Sequence, residues 1–389
     1  MLPAVTPKIP GQTVQCAAVF HGLCNKNAAP HRFSKDLALI ERLIRSLGSK
    51  AAVPGAGADA GQPLLSFIVI VYDMQREAVR TIQTLARDYQ QGAEGIDYEI
   101  VVVDNGSPQP LDLSRVGEIG VPLRLIYREN ATPSPADAIN EGVVNAAGDY
   151  VAVMIDGARM LSPGVVRGAA DAVKLAEQPV VAVLGLHLGP AHQRISIEQG
   201  YSKDVEDALL AEVNWRHNGY GLFGVSSWGG SCAEGWFGPA AESNCIVVSK
   251  EFFDALGGYD EAFRMPGGGL VNLDFYRRSV EHPDSKLIYL LGEGCFHQLH
   301  GGVTTGKSGA GHSFEELNEE YRQIRGEGFR APEKQPLLYG TLGAPHGAAM
   351  ARAVNQLNAA HANVSVDEAC APFLAAEHRN DPESEGGPV

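Results

Sequence analysis

The sequence predicts an α/β fold: a mostly parallel sheet flanked by helices, with an extension at each end. Two observations predict it. Short, nearly unbroken runs of β-branched and aliphatic residues recur along the chain, as expected for strands covered on both faces. Between them lie stretches with apolar residues at helical spacing. Strand and helix alternating at these lengths form the layer pattern of a parallel sheet.

The elements follow in order. Phe33, Leu37, Ile40, Ile44 and Leu47 share one helical face, and Gly48 is a plausible stop before a Gly-, Ala- and Pro-rich connection over 51–62. Leu65 to Tyr72 is the first strand of the core sheet, and Ala78, Val79, Ile82, Leu85, Ala86 and Tyr89 mark the helix after it. Glu99–Val103 and Leu123–Tyr127 read as strands, Ala136–Ala147 as a helix and Tyr150–Ile155 as a strand ending at Asp156. A helix over 165–176 follows Pro163 and leads to a strand over 180–186.

Beyond 187 the pattern loosens. Residues 202–216 are a candidate helix, whereas 219–238 are crowded with Gly, Ser, Trp and Phe and read as an irregular loop. A strand at 244–248, a short helix through Phe252, Phe253 and Leu256, a helix over 270–280 and a strand over 287–291 come next. Phe314–Ile324 reads as a helix, 332–336 as a Pro-rich link and 377–389 as a frayed acidic tail. The division expected is an N-terminal extension over 1–65, a main domain over 66–310 with halves 66–186 and 187–310, and a C-terminal helical extension over 311–389.

Composition narrows the function. With 389 residues, 44% of them apolar, the chain can bury a large core without disulfides or structural metal. Its six cysteines form no CxxC pair, which predicts ordinary reduced thiols. A net charge of -15 argues against nucleic acid as partner, since a phosphate backbone calls for clustered Lys and Arg. Apolar runs fall well short of the roughly 20 residues of a membrane span, and no leader pattern opens the chain, so a cytoplasmic location is expected. Neither a dinucleotide-binding Gly-x-Gly-x-x-Gly in its strand-to-helix setting, nor a Gly-x-x-x-x-Gly-Lys-Ser/Thr loop, nor a Gly-x-Ser-x-Gly elbow is found.

In open parallel sheets, ligands bind beyond the carboxyl ends of the strands. Asp104 and Asp156 stand there, and Tyr72-Asp73 ends the first strand on the same side. Asp104 is either an acceptor for a base or ribose hydroxyl, or an acid that turns the chain beside Asn105-Gly106. Asp156 is either a cation ligand near a diphosphate or a loop cap ahead of Gly157. The rings of Trp228 and Trp236 either face an acceptor sugar or plug a gap between sheet and appendage.

Val69-Ile70-Val71-Tyr72, Glu99 to Ser107, Arg128-Glu129-Asn130, Ala147-Gly148-Asp149-Tyr150, Asp156-Gly157-Ala158 and Phe253 to Phe263 together resemble the ordered landmarks of family 2 glycosyltransferases with the GT-A fold. The likeness covers about 66–303. It implies transfer of a sugar from a UDP- or GDP-type nucleotide diphosphate donor to a hydroxyl acceptor, with inversion and with Mg2+ or Mn2+. On this resemblance Tyr72, Asp104 and Arg128 lie around the nucleoside, and Asp156 is the first acid of the metal-binding Asp-x-Asp.

Two departures stand out. Ala158 replaces the second aspartate, and Arg159 follows it, offering positive charge to the diphosphate. Val271 and Asn272 replace the usual acidic pair, leaving Asp274 as the candidate base, expected on the exposed side of its helix, with Arg278 as its accompanying arginine. Glu234 and Glu242 are the next carboxylates to consider. Late in the chain His300, before Gly301-Gly302, matches a metal- or diphosphate-facing histidine better than His297 does. The competing readings are a sugar-nucleotide binder or catalytically degraded relative, and a nucleotidyltransferase that would release pyrophosphate from a nucleoside triphosphate.

Overall fold

The computed structural model describes residues 13–14, 65–301, 312–347 and 349–353. The helix expected over 33–47, the tail at 377–389 and three of the cysteines lie outside the described residues.

In chain order the strands and helices are β1 (Thr13–Val14), β2 (Leu65–Val71), α1 (Gln75–Thr84), β3 (Tyr98–Asp104), β4 (Leu123–Tyr127), α2 (Ala136–Val144), β5 (Tyr150–Met154) and β6 (Arg159–Leu161). There follow α3 (Val165–Ala172), β7 (Pro179–Val183), β8 (Gly185–Leu188), α4 (Gln193–Glu198), α5 (Lys203–Val213), β9 (Ser226–Trp228), β10 (Cys245–Ser249) and α6 (Lys250–Ala255). The series ends with α7 (Val271–Glu281), β11 (Lys286–Leu291), β12 (Cys295–His297), α8 (Phe314–Arg325) and β13 (Leu337–Gly340).

The main sheet runs β1-β13-β11-β7-β10-β5-β2-β3-β4. Its β5-β2-β3-β4 half is parallel, while β10 lies antiparallel between β5 and β7. The α/β architecture with a mostly parallel, helix-flanked sheet is thus as the sequence predicts. Every residue of β2, β3 and β7 is buried, which is why those segments carry unbroken apolar runs rather than alternating ones.

A second sheet, β6-β12-β8-β9, was not expected. The run read as one strand over 180–186 is two strands: the chain leaves the main sheet at Leu184 and continues in the small one. The segment expected to be an irregular loop over 219–238 contains β9 and three 3-10 turns. β13 follows the Pro-rich link and pairs parallel to β11.

Trp228, the last residue of β9, and Trp236 are buried and cross edge-on with ring centroids 4.9 Å apart. Their indole N–H groups donate to Ala349 O and Glu293 O, so the plug reading holds and neither ring faces a ligand. Cys232, Cys245 and Cys295 are buried free thiols, and burial pushes the first two up to about 12.

Glu293, just after β11, accepts hydrogen bonds from the Ser162 hydroxyl, the Tyr220 hydroxyl and the Gly164 N–H at the start of α3. Burial outweighs these donors and raises its carboxyl from 4.5 to about 7. The folded state therefore holds a proton that the unfolded chain releases between those values, and stability falls as pH rises through that window. The loss from Glu293 is expected to be at most about 3 kcal/mol. Urea midpoints of the parent and Glu293→Gln at pH 5 and pH 8 check this: the parent's decline should exceed the variant's.

Candidate active site

The carboxyl ends of β5, β2 and β3 lie side by side, since the three strands are adjacent and parallel. Val71 pairs with Asp104 in register, and Asn105 N–H donates to Val71 O at 2.7 Å, closing the β2 and β3 ends together. Tyr72 is 55% exposed at this edge. Asp73 beside it has φ 51, a left-handed conformation uncommon outside glycine, with its N–H held by Ser107 Oγ. The backbone is constrained there, and the Tyr72 ring is free to meet a flat ligand.

Asp104 is fully buried, and its oxygens accept the backbone N–H groups of Ser107 and Leu111 at 2.8 Å each. It shapes the 104–111 loop. Arg128 is similarly committed, bonding Asn105 Oδ1, Asp137 and Glu141, which ties that loop to α2. Of the three residues expected around a nucleoside, only Tyr72 presents an open surface.

Asp156 lies two residues past β5. Gly157 lets the chain cross β2 closely: a Cβ there would stand 2.8 Å from Val71 Cγ2 and 3.2 Å from Ile70 O. Asp156 Oδ1 accepts from Ala158 N–H at 2.9 Å, and Oδ2 from Arg159 Nε at 2.8 Å. Burial works against its charge, yet Arg159 and the Ala158 N–H outweigh it and hold the carboxyl below its usual range. Asp156 is ionised at neutral pH.

β12 pairs antiparallel with β6, so His297 sits opposite Arg159, and the chain then turns to bring His300 alongside. The two imidazole Nε2 atoms are 2.9 Å apart, and His297 Nε2 is 3.9 Å from Asp156 Oδ2. The turn is clamped from outside: Glu206 of α5 accepts Leu299 N–H at 2.7 Å, while Arg76 of α1 bonds both Glu206 and Leu299 O. Burial lowers His297 and His300, and Arg159 adds to the effect. Both rings are therefore neutral at pH 7, the form that ligates metal.

Asp156, His297 and His300 offer ligand atoms all within 4.8 Å of one another. One carboxylate and two imidazoles suit a divalent transition ion, and two nitrogens bound side by side at about 2.1 Å would stand about 3 Å apart, as these do. The residues fit such an ion. The sequence ranks His300 above His297; the structure brings both beside Asp156, and their spacing of three was the available signal.

From Arg159 the network runs outward. Its Nη1 donates to Asn244 Oδ1 at 3.0 Å, and Asn244 Nδ2 donates to Glu242 Oε2 at 3.1 Å. Asn272 Nδ2 and Ser231 Oγ also donate to Glu242, at 2.7 and 2.8 Å. Glu242 is thus linked to Asp156 through Asn244 and Arg159, and is held by Ser231 and by Asn272 of α7.

Asp274 does not occupy the exposed side of α7. It is fully buried, with Arg278 Nε on Oδ2 at 2.7 Å and Arg325 on both oxygens at 2.7 and 2.8 Å. Arg278 further donates to Leu256 O and Gly258 O, so this group welds α7, α8 and the 256–260 turn. A neighbouring cleft of about 420 Å³ is lined by Tyr259, Asp260, Arg278 and Arg325, but both guanidiniums are already spent on Asp260 and Asp274.

Among the described residues no helix is long and apolar enough to cross a membrane. Residues 66–156 match the model of the family described as glycosyl transferase family 2. A validoxylamine A glucosyltransferase from Streptomyces hygroscopicus subsp. limoneus is 30% identical over 162 residues, 41% of this chain and 32% of that protein. An uncharacterized protein, y4gI, from Sinorhizobium fredii is 27% identical over 219 residues, 52% of this chain and 21% of its own length. The chain thus spans about a third or less of these relatives. Among solved structures, S. aureus TarS 1-349 superposes with a TM-score of 0.41 at 12% identity, covering 67% of this chain and 64% of that one.

Proposed function

We propose that this protein, whose residues 66–156 match the glycosyl transferase family 2 model, moves a sugar from a nucleotide diphosphate donor, of UDP or GDP type, to a hydroxyl acceptor with inversion. The observation that carries the reading is the Asp156–His297–His300 cluster at the carboxyl ends of the strands, where such sheets bind ligands. The 30% identity to a validoxylamine A glucosyltransferase supports it over 41% of this chain.

In this reading Tyr72 stacks on the base at the open edge, while Asp104 and Arg128 hold the loop that shapes the nucleoside pocket. Asp156, His297 and His300 hold a divalent ion such as Mg2+ or Mn2+, which when bound would neutralise charge on the donor diphosphate. Arg159 keeps a fixed positive charge beside it, offsetting the loss of an acid at Ala158. The division at residues 65 and 310 remains part of the proposal, with the 66–310 unit bearing donor and acceptor sites.

The test is incubation of the full chain with UDP- and GDP-sugars and a panel of glycoside acceptors in Mn2+. Glycosylated product with stoichiometric free nucleoside diphosphate is the expected result. Saturable donor binding without product would favour the binder, and pyrophosphate released from a nucleoside triphosphate would favour the nucleotidyltransferase.

A further inference from the structure

We propose that Glu242 is the catalytic base that deprotonates the acceptor hydroxyl, an inference that rests on the glycosyltransferase reading. Transfer with inversion requires a carboxylate on the acceptor side, within hydrogen-bond reach of the attacking oxygen. Asp274 is fully buried and held by two guanidiniums, so an acceptor cannot approach it.

Glu242 differs in three respects. It is partly exposed. Its partners are neutral: the Ser231 hydroxyl on Oε1, and the Asn244 and Asn272 amides on Oε2. Among the described residues none pairs with it as a salt bridge. An ionised carboxylate has about four acceptor positions, and these three donors leave one open, on Oε1. The remaining lone pair is free to receive a hydroxyl proton.

Its orientation is fixed as well. Asn272 is locked by Tyr259 OH on its Oδ1 and by its own donation to Ser243 O, so the amide cannot flip away from the carboxylate. Asn244 is locked by Arg159, which also holds Asp156. The chain Asp156–Arg159–Asn244–Glu242 therefore sets a fixed span between the diphosphate side and the acceptor side, where a sugar ring would lie. The amide at position 272 serves here as a positioning residue for a carboxylate supplied by β10's leading segment.

In the step itself the acceptor O–H proton passes to Glu242 Oε1 as the acceptor oxygen bonds to the anomeric carbon. The bond from that carbon to the phosphate oxygen breaks, and its electron pair leaves with the nucleoside diphosphate. Glu242 then returns its proton to water.

The experiment compares the parent, Glu242→Gln and Glu242→Asp as full chains with UDP-glucose and GDP-mannose in Mn2+, against a panel of methyl glycosides. Thermal melts establish that each is folded. Glu242→Gln should lose transfer by about 10²–10⁴-fold while binding donor within a few fold, with Glu242→Asp keeping more activity than the amide. Transfer by Glu242→Gln within threefold of the parent would overturn the base assignment and leave the glycosyltransferase reading standing. Loss of donor affinity in parallel with transfer would also overturn it, marking Glu242 as a donor-side or structural group. A parent that binds donor but transfers to nothing would defeat the underlying reading and this inference with it.

Discussion

Asp156→Asn is expected to abolish Mn2+ binding in the absence of donor and to lower sugar transfer by about 10²–10³-fold, the loss typical when a fixed group that stabilises leaving-group charge is removed. The change preserves shape, so the loop should survive: the Ala158 N–H retains an oxygen acceptor. What disappears is the charge that faces Arg159, His297 and His300. Two imidazoles alone bind a hard cation poorly, because such ions prefer carboxylate and phosphate oxygens. Electron paramagnetic resonance of Mn2+ titrated into parent and variant separates ion binding from turnover. Undiminished binding in the variant would remove Asp156 from the site.

The second large effect falls on stability. Asp274→Asn is expected to cost about 3 kcal/mol, the low end of what breaking a buried ion pair costs, since Arg278 and Arg325 retain partial exposure. The loss should appear as a lower urea midpoint. At a temperature where the variant is folded, donor affinity and transfer should lie within a few fold of the parent, because Asp274 joins helices rather than facing a ligand. A rate loss of about 10² or more with unchanged stability would restore Asp274 as the base.

How much of this was legible follows from where each signal resides. The strands β2, β3, β5, β7, β10 and β11 show themselves in the sequence because each is long enough and buried enough to leave an apolar run. Asp104 closes β3 and Asp156 lies two residues past β5, close to where the sequence puts them, since position relative to a run is a local property. The small sheet was not legible: β6, β9 and β12 have three residues each, too few to establish a period. It is this sheet that sets His297 opposite Arg159, so the metal cluster was only partly visible.

The acid assignments were harder for a different reason. Whether a carboxylate is a strut or a base depends on partners far away in sequence. Arg325, which caps Asp274, lies 51 residues on, and the Asn272 amide that orients Glu242 lies 30 residues away. Asp104 shows the same limit in reverse. Its position allows either ligand contact or a turn of the chain, and the N–H groups of Ser107 and Leu111, which occupy it, favour the turn.

A nucleotide diphosphate bound at the ends of β2, β3 and β5 would be held through a divalent ion on the Asp156 cluster. The most direct test is calorimetric titration of UDP, GDP and their sugar conjugates into the parent, first with chelator and then with Mn2+. The account predicts saturable binding of at least one nucleotide series that strengthens about tenfold or more with the ion, since cation and diphosphate complete one another's coordination. No binding of either series, or equal affinity with chelator and Mn2+, would contradict it.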